Sequence, residues 1–205
     1  MLVKDVLRCI ENPLRAQGFR RGRHGVFLRP IRVGFETFIG LNTATHRGDG
    51  LVGVNPVMGL RDEEVENFVS ELTGHPSIVT LTLSLGYLMP ERRYIEWTFG
   101  APKQEMADEL LNCILTYGCP AMESLASREA VIDALKERQN RRPTSLYREY
   151  SLPVAYLLYG DRDSALREIR DELASMGGRA DEAAKLYRLF AQKFERTAEV
   201  RSESP

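Results

Sequence analysis

Between Gly18 and Pro30 the chain reads GFRRGRHGVFLRP, which gathers Arg20, Arg21, Arg23, His24 and Arg29 into one short stretch. With Arg32 just beyond, these guanidiniums could grip phosphates, because each is a permanently charged fork that binds oxyanions bidentately. Nucleic-acid binding also asks for a groove and exposed aromatic rings, and Phe19 and Phe27 suit a core better than a stacking platform. The reading preferred for this stretch is a solvated turn whose long side chains lie along a sheet edge and discourage strand addition. Arg20, Arg21, Arg23, Arg29 and Arg32 stand as the anion-binding alternative, and nucleic acid is disfavoured as a partner.

The other chemistry-bearing residues are sparse. His24, His46 and His75 are the three histidines, two in expected turns and one before a proline. A nucleophile needs such a base within hydrogen-bond reach, and no G-x-S-x-G elbow accompanies them. Gly48-Asp49-Gly50-Leu51-Val52-Gly53 spells G-x-G-x-x-G, but that loop cradles a pyrophosphate only when it opens a helix, and here it runs into the strand-like LVGVNPVM. A hairpin turn is the better reading. Cys9, Cys113 and Cys119 form no C-x-x-C pair, which argues against zinc and a disulfide framework and for a reducing compartment. No catalytic residue, metal or cofactor is expected. An enzyme of unrecognised motif would have to draw on Glu36, Glu96 or a histidine brought into a cleft.

Asp62, Glu63, Glu64 and Glu66 cluster where a helix should begin. Carboxylates there complement the unpaired N–H groups and the positive end of the helix dipole, each worth about 0.3 to 1 kcal/mol. Their second use is as a patch that meets a basic protein surface, and these four are the candidate partner contacts.

The elements that must position these groups follow from periodicity. With 205 residues, 43% of them hydrophobic, the chain can bury a self-supporting core. Val3, Leu7, Ile10 and Leu14 predict a helix over 2–17, bent or split by Pro13 and ended by Gly18. Three antiparallel strands are expected next, from an apolar run at 25–29, from Ile31, Val33, Phe35, Ile39 and Leu41, and from Val52, Val54, Met58 and Leu60. Val65, Phe68, Val69 and Leu72 predict a helix over 62–72. Alternation at 79–85 and 93–99 predicts two more strands across the turn at Met89, Pro90 and Glu91, followed by a helix over 102–118. Beyond Gly118 only helices are expected, broken at Cys119-Pro120, at Arg141-Arg142-Pro143 and at Gly177-Gly178.

The fold class is α+β: an antiparallel sheet of about five strands, in the order helix-β-β-β-helix-β-β-helix, with one face covered by the first and third helices. An all-helical annex over 119–196 should pack on the sheet domain of 1–118. Gly160 and Asp161 join two of its helices in a tetratricopeptide-like hairpin, and the polar tail over 197–205 should fray. Lys and Arg outnumber Asp and Glu by nine to four in residues 1–60 and are outnumbered three to seven in 61–100, so the overall charge of −1 recommends neither nucleic acid nor membrane. No apolar run of secretory or membrane-spanning length occurs, which makes the cytoplasm the default.

The helix over 2–17, Gly18-Phe19, the basic run to Arg23 and the strand GVFLRP with Phe27 and Arg29 together resemble a widespread bacterial family of small α+β domains. Its members are found beside toxin genes and treated as immunity proteins. The likeness covers about residues 2–60. It implies a non-enzymatic protein that binds a toxin and covers its active site, and it brings no catalytic residues with it.

Overall fold

Val6, Ile10 and Leu14 fall on one side of α1 (Val3–Ala16) and are each at most 1% exposed. Burying a side chain of this size contributes about 2 kcal/mol, so this stripe ties α1 into the core, with Val6 taking the place that the spacing gave to Val3 and Leu7, which are half-buried. Pro13 lies inside α1 without splitting it. The computed structural model describes residues 3–22, 25–46, 50–100, 104–137, 145 and 147–202, excluding the side chains of 46 and 202.

The molecule is α+β. β1 (Arg20–Arg21), β2 (Phe27–Arg32), β3 (Phe35–His46) and β4 (Leu51–Asp62) form an antiparallel meander. Val33 was expected to point inward along a continuous strand, but it is fully exposed in the turn that Gly34 makes with a left-handed φ of 81°. The glycine-rich stretch around Gly50 leads into β4 and not into a helix, in keeping with a hairpin. Its residues 47–49 lie outside the described residues.

α2 (Glu63–Thr73) follows without a gap. Asp62 Oδ1 accepts from Val65 N at 3.2 Å, and Gly74 closes the helix in the left-handed conformation with its N–H on Ser70 O. β5 (Leu81–Ser84) and β6 (Trp97–Phe99) are shorter than the alternation over 79–85 and 93–99 predicts. Both pair with β4, β5 along residues 57–60 and β6 along residues 52–54. Asn55 and Pro56 occupy the gap between them, a position where a proline in a central strand need not donate an N–H. The Asn55 side-chain amide spans this gap, donating to Ser84 Oγ at 3.0 Å and to Ile95 O at 2.7 Å.

One sheet face carries Phe27, Ile39, Val52, Val54, Met58, Leu60, Leu81 and Phe99, all buried. The opposite face is not bare as the alternation suggested: Leu28, Phe38, Glu36 and Asn55 are buried there too. The chain segments at Val79 and Glu96 cross it closely, so that a Cβ on Gly59 would meet Val79 Cγ2 at 2.7 Å and one on Gly53 would meet the Glu96 carboxyl at 2.3 Å.

α3 (Gln104–Cys113) packs on α1 and passes through a π-helical turn, Ile114–Gly118, into α4 (Cys119–Ser124). The predicted break at Cys119-Pro120 is therefore absent. A wider turn, with Cys119 N–H on Ile114 O, relieves the clash that the Pro120 ring would make in a regular helix. α5 (Arg128–Lys136), α6 (Arg148–Leu158), α7 (Arg162–Met176) and α8 (Glu182–Ser202) complete the described chain. Arg141, Arg142 and Pro143 lie outside it. Gly160 with φ 93° and Asp161, which caps α7 through Ser164 N, join α6 and α7 as expected. α8 runs to Ser202, past the tail predicted to fray from Thr197, because Ala198 is fully buried and Thr197 Oγ1 bonds Lys193 O. Residues 203–205 lie outside the described set. α2 contacts both α6 and α8 and so joins the sheet to the helical segment. No helix among the described residues is long and apolar enough to cross a membrane.

Candidate functional site

Of the four described arginines of this cluster, only Arg29 and Arg32 share a depression, which Pro30, Ile31 and Glu123 complete. Arg20 lies on the sheet face that carries Glu36, and its Nη2 contacts Glu36 Oε1 at 2.5 Å. Arg21, its neighbour along the strand, points to the other face and pairs with Glu11 at 3.2 Å. Arg29 sits over the Phe19 ring, 4.8 Å from its centroid, and reaches Glu123. Arg32 donates to Ala126 O. Arg23 and His24 lie outside the described residues. Strand alternation separates the side chains that the sequence places together, and Phe19 and Phe27 are core residues as expected.

The acidic quartet is likewise divided. Glu63 is half-buried and pairs with Arg61, and the exposed Glu64 pairs with Arg128. Asp62 and Glu66, at 2% and 0% exposure, are buried and cannot present carboxylates to a partner. Asp62 caps α2 with Oδ1 and accepts from the Tyr159 hydroxyl with Oδ2. Glu66 Oε1 accepts from Thr80 Oγ1 at 2.8 Å, and Thr80 Oγ1 accepts from Asp62 N at 2.9 Å. Ser77 also faces the Glu66 carboxyl, although Oε2 makes no hydrogen bond of good geometry. Burial holds both carboxyls above their ordinary pKa, and burial with the Asp62 contact pushes the Tyr159 hydroxyl well above the usual tyrosine range. Asp62, Glu66, Thr80 and Tyr159 lie buried or half-buried together and line neither of two surface depressions that meet nearby. Among the described residues no group of His, Cys, Asp and Glu has the geometry to hold a metal.

Those two depressions flank the loop of His75, Pro76 and Ser77, which lines both. One is a polar cleft of 510 Å³ between that loop and the sheet, with Arg20, Arg61, Asn67 and Ser70 in its wall. Its charges are already spent: the buried Glu36 carboxylate binds Arg20 through one oxygen and Arg61, at 2.9 Å, through the other. Glu96, the other carboxylate considered for catalysis, lies against Gly53 and does not line this cleft.

The second depression is an apolar groove of 240 Å³ where the end of α2 meets the start of α6 and the middle of α8. Val69, Leu72 and Phe190 form its buried floor, and Tyr147, Leu186 and Leu189 rise from its walls at 56%, 43% and 50% exposure. Beside it, Lys193 Nζ donates to Leu72 O at 2.9 Å, which puts a cation on the carbonyl end of α2. The sequence reading missed this groove. The available signal was a surplus of apolar residues on α8: Tyr187, Phe190 and Phe194 already fill the inward stripe, leaving Leu186 and Leu189 without a place in it.

Compared with known proteins, the chain matches no family model, no curated protein and no solved structure.

Proposed function

We propose that this chain is a non-enzymatic protein-binding module of the immunity type, which neutralises a bacterial toxin in the cytoplasm by covering its active site. The observation that carries the reading is the groove between α2, α6 and α8, where three large hydrophobic side chains stand exposed side by side. Contiguous exposed apolar surface of this kind marks interaction sites. Its shape suits an amphipathic segment that inserts an apolar side chain over Phe190, with Lys193 offering a cation to a flanking carboxylate of the partner.

The partner contact thus moves from the acidic quartet to the groove. The test compares tagged wild-type and Leu189→Asp chains in affinity purification from the host cell, followed by expression of any stoichiometric partner on its own. The reading expects a partner that is toxic alone, is relieved by wild-type chain and is not relieved by Leu189→Asp. A harmless partner, or one retained equally by the variant, refutes it.

A further inference from the structure

β3 pairs with β4 along its whole length, from Phe35 opposite Asp62 to His46 opposite Leu51. On its other side β2 covers only the first part, ending with Phe27 opposite Ile39. Residues 40–46 therefore present a free ladder edge among the described residues, about 24 Å long at 3.4 Å per residue. Asn42, Thr43, Ala44 and Thr45 are all exposed.

An open edge is a template for another strand, because only a strand satisfies a row of alternating N–H and C=O groups. Edges are ordinarily blunted with charge, proline or a bulge, and the neighbouring edge of this sheet is blunted in that way by Arg20 and Arg21 on β1. Residues 40–45 carry no charge and no proline.

We propose that this edge pairs antiparallel with the same edge of a second copy, making a two-fold dimer with a continuous sheet. The free length fixes the register. Because β2 stops at Ile39 in each copy, residues 40–46 of one fill the notch of the other with Thr43 on the axis. Thr43 then faces Thr43, Leu41 faces Thr45, and Asn42 faces Ala44. Antiparallel pairing about this axis keeps each pair on one sheet face, no like charges meet, and Thr opposite Thr is a favourable cross-strand pair. The dimer does not rest on the groove: Leu186 and Leu189 lie on α8, so each copy keeps its own groove free.

A two-fold axis through residue 43 has a consequence that few other interfaces share. Sedimentation velocity across a concentration series should show a wild-type dimer. Thr43→Lys and Thr43→Glu, each placing like charges directly opposite, should both sediment as monomers with unchanged circular dichroism, and their equimolar mixture should recover the dimer. Leu189→Asp should remain dimeric, which keeps this result separate from the partner test. A wild-type monomer overturns the proposal, as does a Thr43→Lys dimer or a mixture that stays monomeric. A monomeric wild type whose partner capture is lost in Thr43→Lys would assign the edge to a partner strand, and that also overturns self-pairing.

Discussion

Two depressions share one wall, the loop of His75, Pro76 and Ser77, yet they differ in what they leave unfinished. In the polar cleft, Glu36 is clamped between Arg20 and Arg61, so every strong charge there has a partner within the chain. In the groove, Tyr147, Leu186 and Leu189 remain in water although apolar floor residues lie beside them. The larger, more charged cavity is thus the more self-contained, and the smaller one retains surface whose burial would be favourable. Charge density is a poor guide to a ligand site when the charges are already paired.

Breaking the cleft should cost stability and little else. Glu36→Ala leaves the 19%-exposed Arg61 with only the half-buried Glu63, and should lower unfolding free energy by about 3 kcal/mol, the low end for uncoupling a buried pair. Urea denaturation followed by circular dichroism measures this, and partner capture by the folded fraction should persist. Arg20→Ala removes the 57%-exposed arm of the same cluster and should cost less than about 1 kcal/mol in the same assay.

Glu66→Gln sharpens the contrast through pH. Since burial raises the folded-state pKa of Glu66 above its ordinary 4.5, folding favours the protonated form. That contribution is complete below the ordinary value and is lost as pH rises through the folded-state value. The variant should therefore melt higher than wild type at neutral pH, with the difference vanishing in acid, as read by thermal melts from pH 3 to 8. The smallest effect on stability belongs to the groove. Leu189→Asp should shift unfolding free energy by no more than about 0.5 kcal/mol, because its side chain is half in water already. A large loss there would mean that Leu189 supports the fold and is not a contact reserved for a partner.

What the sequence discloses is local. The helices at 3–16 and 63–73 and the Gly160 and Asp161 joint each depend on residues within a few positions of one another, and each stands in the structure, although in α1 Val6 is buried with Ile10 and Leu14 where the spacing named Val3 and Leu7, and Asp62 caps α2 from just outside it. The places of β5 and β6 depend on β4, tens of residues upstream, and nothing in their own alternation names that partner. Burial of Asp62 and Glu66 depends on Tyr159 and Thr80. The groove needs Leu72 from α2 and Leu189 from α8 together, and no pattern along the chain records that meeting.

Asn55 clamps the base of a long excursion of the chain. Residues 85–96 leave the flank of β4 at Ser84 and return to the same flank at Trp97, and one amide stitches the departure to the return. The excursion is thereby anchored at both feet independently of its own length. Residues could be added or trimmed at its crest, around Pro90, while both feet stay registered on the same rail, which makes this the place where a relative of the chain could carry an inserted ornament without rebuilding the sheet.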